Sequence, residues 1–486
     1  MSTFALWRLF HRPGRSDTTA HTSALAIIAF AAATAIFLTV LGGLHGFVWR
    51  ASADHTIGCL FSPDACAPGT YEAFSRRLAD DQMTQMASTY VVLAIFACIL
   101  LVVPFAALAG SAARLAASRR DTRLAALRLA GATTGQVVRL TALDAAGQAL
   151  VGSLIGIIGY FAIMPLIMLL NFQNQRFTFE QLWVGSIALV AVVAGVTVLA
   201  LVSALITLRR VAITPLGVMS RAAEPLPAKW RVLIFLVVVA AAYLVFSNPT
   251  MLTGLGDAMI YAVVIGFFFL VFAVVNLVGV WVVAARARVK ARHPKDAATM
   301  IAMRRILDNP KRAWRNVSGV ALAVFVAGIT SICGYLSTSA WTSGGAVPPA
   351  DDPGVTMMRD IGTGGLLTLG FAAVLAAVSC GVMQAGSVYD QAAEYRMLVL
   401  EGTDVKTLNR ARFKEVLTPL TTVVVVAGGC SLLLMFPLFA ASMTQPATIL
   451  SFVGGVALCF ALVSVGAFAS NRVAASLNLT DYRADD

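Results

Sequence analysis

Charged residues are scarce in this sequence of 486 residues, of which only 12% are Asp, Glu, Lys or Arg and 59% are hydrophobic. A soluble globular domain has about 25% charged residues. The shortage excludes a soluble core protein, because this much apolar surface has to be buried in lipid. The formal net charge of +12 would favour nucleic-acid binding in a soluble protein, but the placement of the basic residues gives it another explanation.

Motifs of catalysis and of nucleotide binding are also missing. The five histidines form neither an HExxH motif nor a cluster, and no GxSxG is present. The sequence has no GxxxxGK[ST] phosphate loop, so the chain cannot bind ATP in that manner. Acidic residues are few in the apolar stretches, since Asp144, Asp257 and Glu415 all lie at stretch ends. This argues against a proton- or sodium-coupled carrier, which normally needs ionisable groups near mid-membrane.

The sequence is rich in long uncharged stretches, and a transmembrane helix needs about 20 apolar residues. The last stretch is too long for one helix, and the segment from Pro437 to Pro446 divides it. The sequence therefore predicts an all-α polytopic membrane protein with ten transmembrane helices. The nine stretches are Thr18–Trp49, Gln82–Ala113, Ala145–Gln175, Gln181–Leu208, Val232–Gly256, Ala258–Ala285, Asn316–Ala350, Ile361–Tyr389 and Val416–Asn471.

The basic residues predict the orientation. With the N-terminus inside, the inner segments hold 31 of the 36 Lys and Arg residues, so both termini are predicted to be cytoplasmic in a plasma (inner) membrane. The basic inner face then lies against anionic lipid headgroups, and no nucleic-acid partner is expected. The alternative for the first stretch is a signal peptide cleaved near Ala51–Ala53, but the stretch exceeds the roughly 7–15 apolar residues of such a peptide.

The seven cysteines fall into two groups. Five lie inside apolar stretches, where cysteine usually acts as a small hydrophobic residue. Cys59 and Cys66 lie close together in the first outer loop, on the oxidising side of the membrane. The compartment favours a local disulfide between them over two free thiols. The sequence contains no CxxC pair for a metal.

Two parts of the chain are alike at a fixed spacing of 271 residues. Apart from this spacing, a basic segment around a proline precedes an apolar stretch in both parts, at Trp7–Arg15 and at Arg304–Arg312. Each of these segments predicts a helix that lies in the inner membrane interface. Several matches at one spacing indicate a repeated unit. The matched pairs are Leu127 with Leu398, Leu129 with Leu400, Gly131 with Gly402, Arg139 with Arg410 and, as two acids, Asp144 with Glu415.

The repeat predicts two four-helix units joined by two connector helices, with a pseudo-twofold axis along the membrane normal. The first unit is assigned an outer loop at about 49–88 and an inner segment at about 114–141, and the second an inner segment at about 390–415. The predicted divisions are an interfacial N-terminal helix at 1–22, the first unit at 23–208, connector helices five and six at 209–300, the second unit at 301–471 and a cytoplasmic tail at 472–486.

The inner segment of the first unit predicts a helix, a sharp break and a second helix. Residues Arg119–Ala130 are rich in Ala, Leu and Arg, which favour a helix. Gly131 suits the position just after a helix end, where a left-handed conformation is easy without a Cβ. Thr133 followed by Gln136 fits a capping box that would begin the second helix.

The second copy of this segment predicts the same break at Gly402, with Thr403 or Asp404 as the cap of the next helix. A stiff extension of a spanning helix that ends in a break and a short helix can pass a push from a soluble partner to the membrane. The alternative is an ordinary connecting loop. The presence of two copies favours the docking site.

The first copy resembles the FtsX-like permease domain of the MacB class of ABC transporters, also called mechanotransmission transporters. The residues Arg128–Thr133 (RLAGAT) and the Arg and acidic residue that enter the next span carry the resemblance. The second copy is looser, because it has Glu401 where a small residue is usual. Glu394 stands where the family often has a Glu before the helix, and Arg123 departs from that pattern.

The resemblance implies a partner, an ABC ATPase, with two ATPase subunits seated under the two inner segments of one chain. ATP and Mg would be bound by that partner, and this chain is expected to hold no cofactor and to be no enzyme by itself. The four-helix units would be FtsX-like units. The residues implied in ATPase coupling are Arg123, Leu127, Arg128, Gly131, Ala132, Thr133, Gln136, Glu394, Leu398, Gly402, Thr403 and Asp404.

The ten-helix layout resembles the BceB-like permeases of bacitracin and lantibiotic resistance, although the large outer domain of those proteins between helices seven and eight is missing here. Two functions follow. The first is export or expulsion of an amphiphilic compound (a drug, an antimicrobial peptide or a lipid) that enters between the units near helices one, two, seven and eight. The alternative is a mechanotransmitting subunit that signals to a cell-wall hydrolase or a sensor kinase. A secondary carrier is disfavoured by the shortage of buried acids.

Overall fold

The structure is a computed structural model that describes residues 17–56, 59, 63–118, 134–212, 228–248, 257–339, 352–390, 397–443 and 446–475. Long helices dominate these residues, as their apolar composition predicts, and ten helices have 20 residues or more. In chain order these ten are α1 (Asp17–Ala51), α4 (Ala87–Ser118), α5 (Thr134–Met168), α7 (Ser186–Ala212), α8 (Ala228–Ser247), α9 (Asp257–Arg292), α12 (Ser318–Ser339), α13 (Pro353–Asp390), α14 (Val405–Met443) and α15 (Pro446–Ala475).

The shorter elements lie between these helices. Only one two-stranded sheet occurs in the described parts of the chain, an antiparallel hairpin in which Asn171 faces Arg176. The short elements are a 3₁₀ helix (Pro63–Ala65), α2 (Thr70–Asp80), α3 (Gln82–Gln85), β1 (Asn171–Phe172), β2 (Gln175–Arg176), α6 (Phe179–Leu182), α10 (Ala297–Asp308) and α11 (Pro310–Arg315).

Eight helical segments in the described residues are long and apolar enough to span a membrane. They lie in α1, α4, α5, α7, α9, α13, α14 and α15. The helices α8 and α12 contain shorter apolar segments, Trp230–Val245 and Ser318–Gly328. The chain is therefore a multi-pass membrane protein, with eight candidate spans where the sequence predicts ten.

The long C-terminal stretch is divided almost where the sequence predicts. The helix α14 continues through Pro437 and ends at Met443, and α15 begins at Pro446. The prediction that the division begins at Pro437 was wrong. A proline is tolerated inside a membrane helix because neighbouring groups can satisfy the backbone group that it frees.

The long helices pack in two groups. Helices α1, α4, α5 and α7 contact one another and form the first helix group, whereas α12, α13, α14 and α15 form the second. The groups meet mainly where α13 packs against α4 and α1. Helices α8 and α9 pack against each other and against α14, so they lie beside the second group.

Small residues allow the close contact between α1 and α5. A Cβ added at Gly152 would lie 2.6 Å from Phe30 Cβ, and one at Gly156 would lie 2.6 Å from Thr34 Cβ and 2.8 Å from the Ala31 carbonyl oxygen. The spacing of Gly152 and Gly156 is the GxxxG pattern that brings membrane helices together. Because lipid is as apolar as leucine, such close contact and the dispersion energy it gives hold these helices together.

The basic segment before α12 is helical, as predicted, but it forms two helices separated at Asn309. The Asn309 side chain accepts a hydrogen bond from the Arg312 backbone N–H (3.1 Å), and Pro310 occupies the first position of α11. Trp314 then packs on Gly279 of α9, and its indole N–H donates to Asn276 Oδ1 (2.9 Å). The helix α10 buries its apolar face against α9 and α14, whereas the sequence predicted that lipid would receive this face.

The loop between α1 and α4 contains a disulfide between Cys59 and Cys66. Asp54 orders the same loop, because its carboxylate accepts hydrogen bonds from the Thr56 hydroxyl (2.7 Å), the Thr56 N–H (3.0 Å) and the Ala67 N–H (3.2 Å). These donors, with the Thr56 hydroxyl first, lower the pKa of Asp54. The loop is thus closed by its own covalent and polar contacts.

Two glycines of α5 test the packing between α1 and α5. We expect Gly156→Ala to lower the stability of the chain by about 1–3 kcal/mol, because the added methyl overpacks the contact with α1. Gly147→Ala is the matched control on the same helix, where an added Cβ meets no described atom within 4 Å. It should leave stability unchanged or raise it by up to about 1 kcal/mol through helix propensity. Thermal unfolding of both variants in detergent, followed by circular dichroism, measures the difference, and equal midpoints would contradict the packing argument.

Candidate functional site

The predicted break at Gly402 is present. Residues 397–400 are helical, and Gly402 has a φ of +92°, which favours glycine. The Gly402 N–H donates to the Val399 carbonyl (3.0 Å) and the Thr403 N–H donates to the Leu398 carbonyl (2.9 Å). This pair of hydrogen bonds is a Schellman motif, which ends a helix at a left-handed glycine.

The next helix begins immediately after the break. Asp404 precedes Val405, the first residue of α14, and the Asp404 carbonyl accepts hydrogen bonds from the N–H groups of Thr407 (3.0 Å) and Leu408 (3.2 Å). Asp404 therefore occupies the N-cap position, one of the two residues that the sequence proposed for it.

An apolar surface surrounds the break. Met397 and Leu400 are each 61% exposed, and Val405 at the start of α14 is 39% exposed. Glu401 and Asp404 are also exposed. A turn of backbone with uncovered apolar and acidic side chains is suited to contact with another protein.

The helix that follows the break is fixed to α9 and α10. Arg286 of α9 donates to the hydroxyls of Thr421 (2.7 Å) and Thr422 (3.0 Å). Lys414 Nζ lies 2.5 Å from Asp296 Oδ2, just before α10. The Lys414 hydrogen bond, followed by that of Thr299, lowers the pKa of Asp296. These contacts hold α14 against α9 and α10 over the part of the helix that follows the break.

Two of the other residues predicted for ATPase coupling lie in described helices. Gln136 lies in the first turn of α5 and Leu398 in the helical turn before Gly402. The remaining predicted residues lie outside the described residues, so their role stays a prediction. They are Arg123, Leu127, Arg128, Gly131, Ala132, Thr133 and Glu394.

A cavity of about 440 Å³ lies between the two helix groups. Most of its wall comes from residues between Thr39 and Phe47 of α1, Tyr90 and Leu100 of α4, and Asp360 and Phe371 of α13. Val326 of α12, Ile167 of α5 and Phe172 and Phe177 of the following loop complete it. It occupies the half of the bundle where α1 ends and α4 and α13 begin, which is called the hairpin end below. The predicted site of substrate entry, near helices one, two, seven and eight, corresponds to α1, α4, α12 and α13.

The cavity wall is aromatic and aliphatic, with few polar groups. Such a surface favours apolar ligands, and sparse polar groups fix their orientation. The polar side chains in the wall are those of Thr39, Tyr90, Asp360 and Thr368. The phenylalanines that line it are Phe47, Phe96, Phe172, Phe177 and Phe371.

The hairpin 171–176 lies at this end of the cavity and supplies Phe172 to its wall. Gln173 and Asn174, its two turn residues, have φ of +55° and +57°. Positive φ at both central residues is the geometry of a type I′ turn, which fits the twist of a two-residue hairpin.

Arg50, at the end of α1, holds the hairpin to the first helix group. Its guanidinium donates to the Phe172 carbonyl (2.8 Å), the Arg176 carbonyl (3.0 Å) and Gln181 Oε1 (3.2 Å). It also lies 4.3 Å from the centre of the Phe177 ring, a cation–π contact. One arginine thus satisfies several backbone and side-chain acceptors of this loop.

Asp360 of α13 holds the same hairpin to the second helix group. Its Oδ2 accepts from the Gln173 backbone N–H (2.6 Å) and from the Tyr90 hydroxyl of α4 (2.8 Å). The residue is 2% exposed, and Oδ1 is buried without a hydrogen-bond partner among the described residues. The hairpin tip adds two contacts, since Asn174 donates to Thr356 Oγ1 (3.3 Å) and Arg359 donates to Asn174 Oδ1 (2.5 Å).

Sequence reasoning missed this cluster. Asp360 is a buried acid, but it stands one residue before the uncharged stretch that begins at Ile361 and was not counted among the acids at stretch ends. Arg50 was counted only as an outer basic residue. The signal in the sequence is weak, because the two residues are 310 positions apart and neither belongs to a motif.

Comparison with known families gives one match. Residues 92–215 match the family model described as FtsX-like permease C-terminal. The match begins within α4 and ends just after α7, so it includes α5 and the first predicted coupling segment. No curated protein shows significant similarity to the chain. The chain is thus a multi-pass membrane protein whose residues 92–215 are similar to the FtsX-like permease family.

Proposed function

We propose that this chain is the permease subunit of an ABC transporter in the plasma membrane, and that it expels an amphiphilic compound with energy from a separate ATPase dimer. The apolar cavity between the two helix groups is the observation that supports it. A compound dissolved in the bilayer can exchange its contacts with lipid for the phenylalanine-rich wall at little cost. ATP and Mg would be held by the partner, and this chain would bring no cofactor or catalytic residue of its own.

The proposal includes ten transmembrane helices with both termini cytoplasmic. It divides the chain as the repeat suggests, into two pseudo-twofold-related four-helix units joined by α8 and α9. The packing of α1, α4, α5 and α7 in one group and of α12–α15 in the other supports this division. One chain then offers two coupling segments, one per unit, and two ATPase subunits are the matching stoichiometry.

Mechanotransmission is the second candidate. It is supported by α4 and α13, which run unbroken for 32 and 38 residues from the hairpin end to the two predicted coupling segments. At 1.5 Å per residue these helices are about 48 and 57 Å long. Such helices can carry movement to a partner on the far side of the membrane without any transported compound.

Filling the cavity separates the two candidates. A Cβ at Gly364 meets only Phe172 Cε1, at the ordinary distance of 3.8 Å, so Gly364→Leu should fill the cavity with little strain. We expect its tagged chain to co-purify with its ATPase and hydrolyse ATP at the basal rate, but to lose stimulation by the compounds that stimulate the wild type. Gly370→Leu on the same helix, outside the cavity wall, is the matched control. Unchanged stimulation in Gly364→Leu would favour mechanotransmission.

The coupling role of the glycine breaks has a separate test. Gly402→Val should cost about 1–2 kcal/mol locally, because a β-branched residue is poorly accommodated at this positive φ. We expect normal amounts of chain in the membrane but weak ATPase binding or unstimulated hydrolysis. Gly402→Asn is the control, since asparagine tolerates the left-handed region. Gly131→Val should be more damaging, because the first copy matches the family more closely. Full coupling in the double Gly→Val variant would remove the docking assignment.

Cysteine labelling tests the topology. Single cysteines at Ser220 and at Thr253 should lie on opposite faces of the membrane, with Ser220 inside, as the basic residues predict. An impermeant maleimide added to intact cells should label Thr253→Cys and leave Ser220→Cys unlabelled until the cells are opened. Labelling of both from outside would contradict the ten-span arrangement.

A further inference from the structure

We infer that the hairpin 171–176 is a one-sided latch, which stays on the first helix group through Arg50 and releases from the second at Asp360 to open the cavity at the hairpin end. The inference takes from the proposed function only that the cavity receives a ligand. It does not depend on the ATPase.

The hairpin joins the two helix groups. It follows α5 of the first group directly, and it reaches Asp360, Thr356 and Arg359 of α13 in the second. Tyr90 of α4 adds a direct bond between the groups through the Asp360 carboxylate. Because Phe172 and Asp360 both line the cavity, a hairpin that leaves α13 uncovers the cavity wall.

The contacts on the two sides differ in kind. On the first group, Arg50 binds carbonyl and amide oxygens and the Phe177 ring. The short helix α6 of the same loop packs on α1 as well, where His45 Nδ1 lies 2.8 Å from the Gln181 carbonyl oxygen. The Tyr160 hydroxyl of α5 donates to the Leu182 carbonyl. One guanidinium nitrogen, Arg50 Nε, is buried without a hydrogen-bond partner among the described residues. The loop is nevertheless continuous with α5 and α7, and it makes more hydrogen bonds with the first group than with α13.

The side toward the second group rests on a buried carboxylate with one oxygen unpartnered among the described residues. Arg359 Nε lies 4.0 Å from Asp360 Oδ1, beyond hydrogen-bond distance, and the Arg359 side chain is 45% exposed. Burial of a carboxylate with incomplete hydrogen bonding is costly. Water or a ligand group that reached Oδ1 as the hairpin moved away would relieve that cost. The hairpin should therefore separate at Asp360 and remain with Arg50.

Among the described residues of the second group, no hairpin corresponds to 171–176. The equivalent connection there, between α14 and α15, is only two residues long, from Met443 to Pro446. A latch supplied by one group alone can open by losing one set of contacts.

A cysteine reporter in the cavity tests the latch without ATP or substrate. Thr368 is buried in the cavity wall, and Thr368→Cys is placed in a chain whose Cys98, Cys333, Cys380, Cys430 and Cys459 are replaced with alanine. The chain is held in lipid nanodiscs, and its reaction with the impermeant reagent trimethylammonium-ethyl methanethiosulfonate is followed by intact mass. We expect Tyr90→Phe, which removes one donor to Asp360, to raise the labelling rate about tenfold, as the loss of a charge-assisted hydrogen bond implies. Thr356→Val is a second variant, used where Tyr90→Phe does not fold.

Two cross-links then identify the side that opens. Asn174→Cys with Thr356→Cys joins the hairpin to the second group, and His45→Cys with Gln181→Cys joins α6 to α1 within the first. Each pair is oxidised with copper phenanthroline in the Tyr90→Phe background. We expect the first cross-link to return labelling to the slow rate and the second to leave it fast. Equal labelling of the wild type and both weakened variants would overturn the latch, and inhibition by the second cross-link would overturn its one-sided release.

Discussion

The structure depends on one constraint, that a peptide group in an apolar environment needs a hydrogen-bond partner and costs several kcal/mol without one. Helices satisfy it within themselves, which is why almost every described residue is helical. The loop between α5 and α7 leaves the helical pattern beside the cavity, and its carbonyl and N–H groups need other partners. Arg50 and Asp360 supply several of them, which accounts for the position of these two charged side chains beside an apolar cavity.

The same constraint distinguishes contacts that should persist, within each helix group, from contacts that can separate, between the two groups. Within each helix group the helices make close apolar contacts, as at Gly156 against Thr34 and at Gly466 against Ala377, and water cannot replace them. Between the groups, at the hairpin end, the contacts are hydrogen bonds to Tyr90, Thr356 and Asp360. Once water enters, it can form equivalent hydrogen bonds with these groups, so the net free energy lost when the groups separate is small. Movement is therefore expected between the groups and at this end.

Much of the helical architecture could be predicted from the sequence, because the length of an apolar stretch is a local signal. The break at Gly402 was predictable for the same reason, since a left-handed helix end needs glycine. The Asp360 cluster was not, because its partners come from α1, α4, the hairpin and α13, and only the packing of the helices brings them together. The continuation of α14 through Pro437 was also missed, because the rule that proline ends a helix weakens where neighbouring helices supply the missing contacts.

The position of the latch gives the two functional candidates a common basis. Tyr90 and Asp360, whose side chains are 2.8 Å apart, stand near the first residues of α4 and α13. The far ends of these two helices lead into the two predicted coupling segments. Both helices are continuous, although α4 contains Pro104. A change in the distance or tilt between the coupling segments can therefore pass along them to the other end. At that end, α4 and α13 are joined by the polar contact between Tyr90 and Asp360, and they line the apolar cavity. A transporter would use that movement to release a compound. A transmitter would use it to change the outer surface around the hairpin. In both cases the movement would make or break the hydrogen bond between Tyr90 and Asp360.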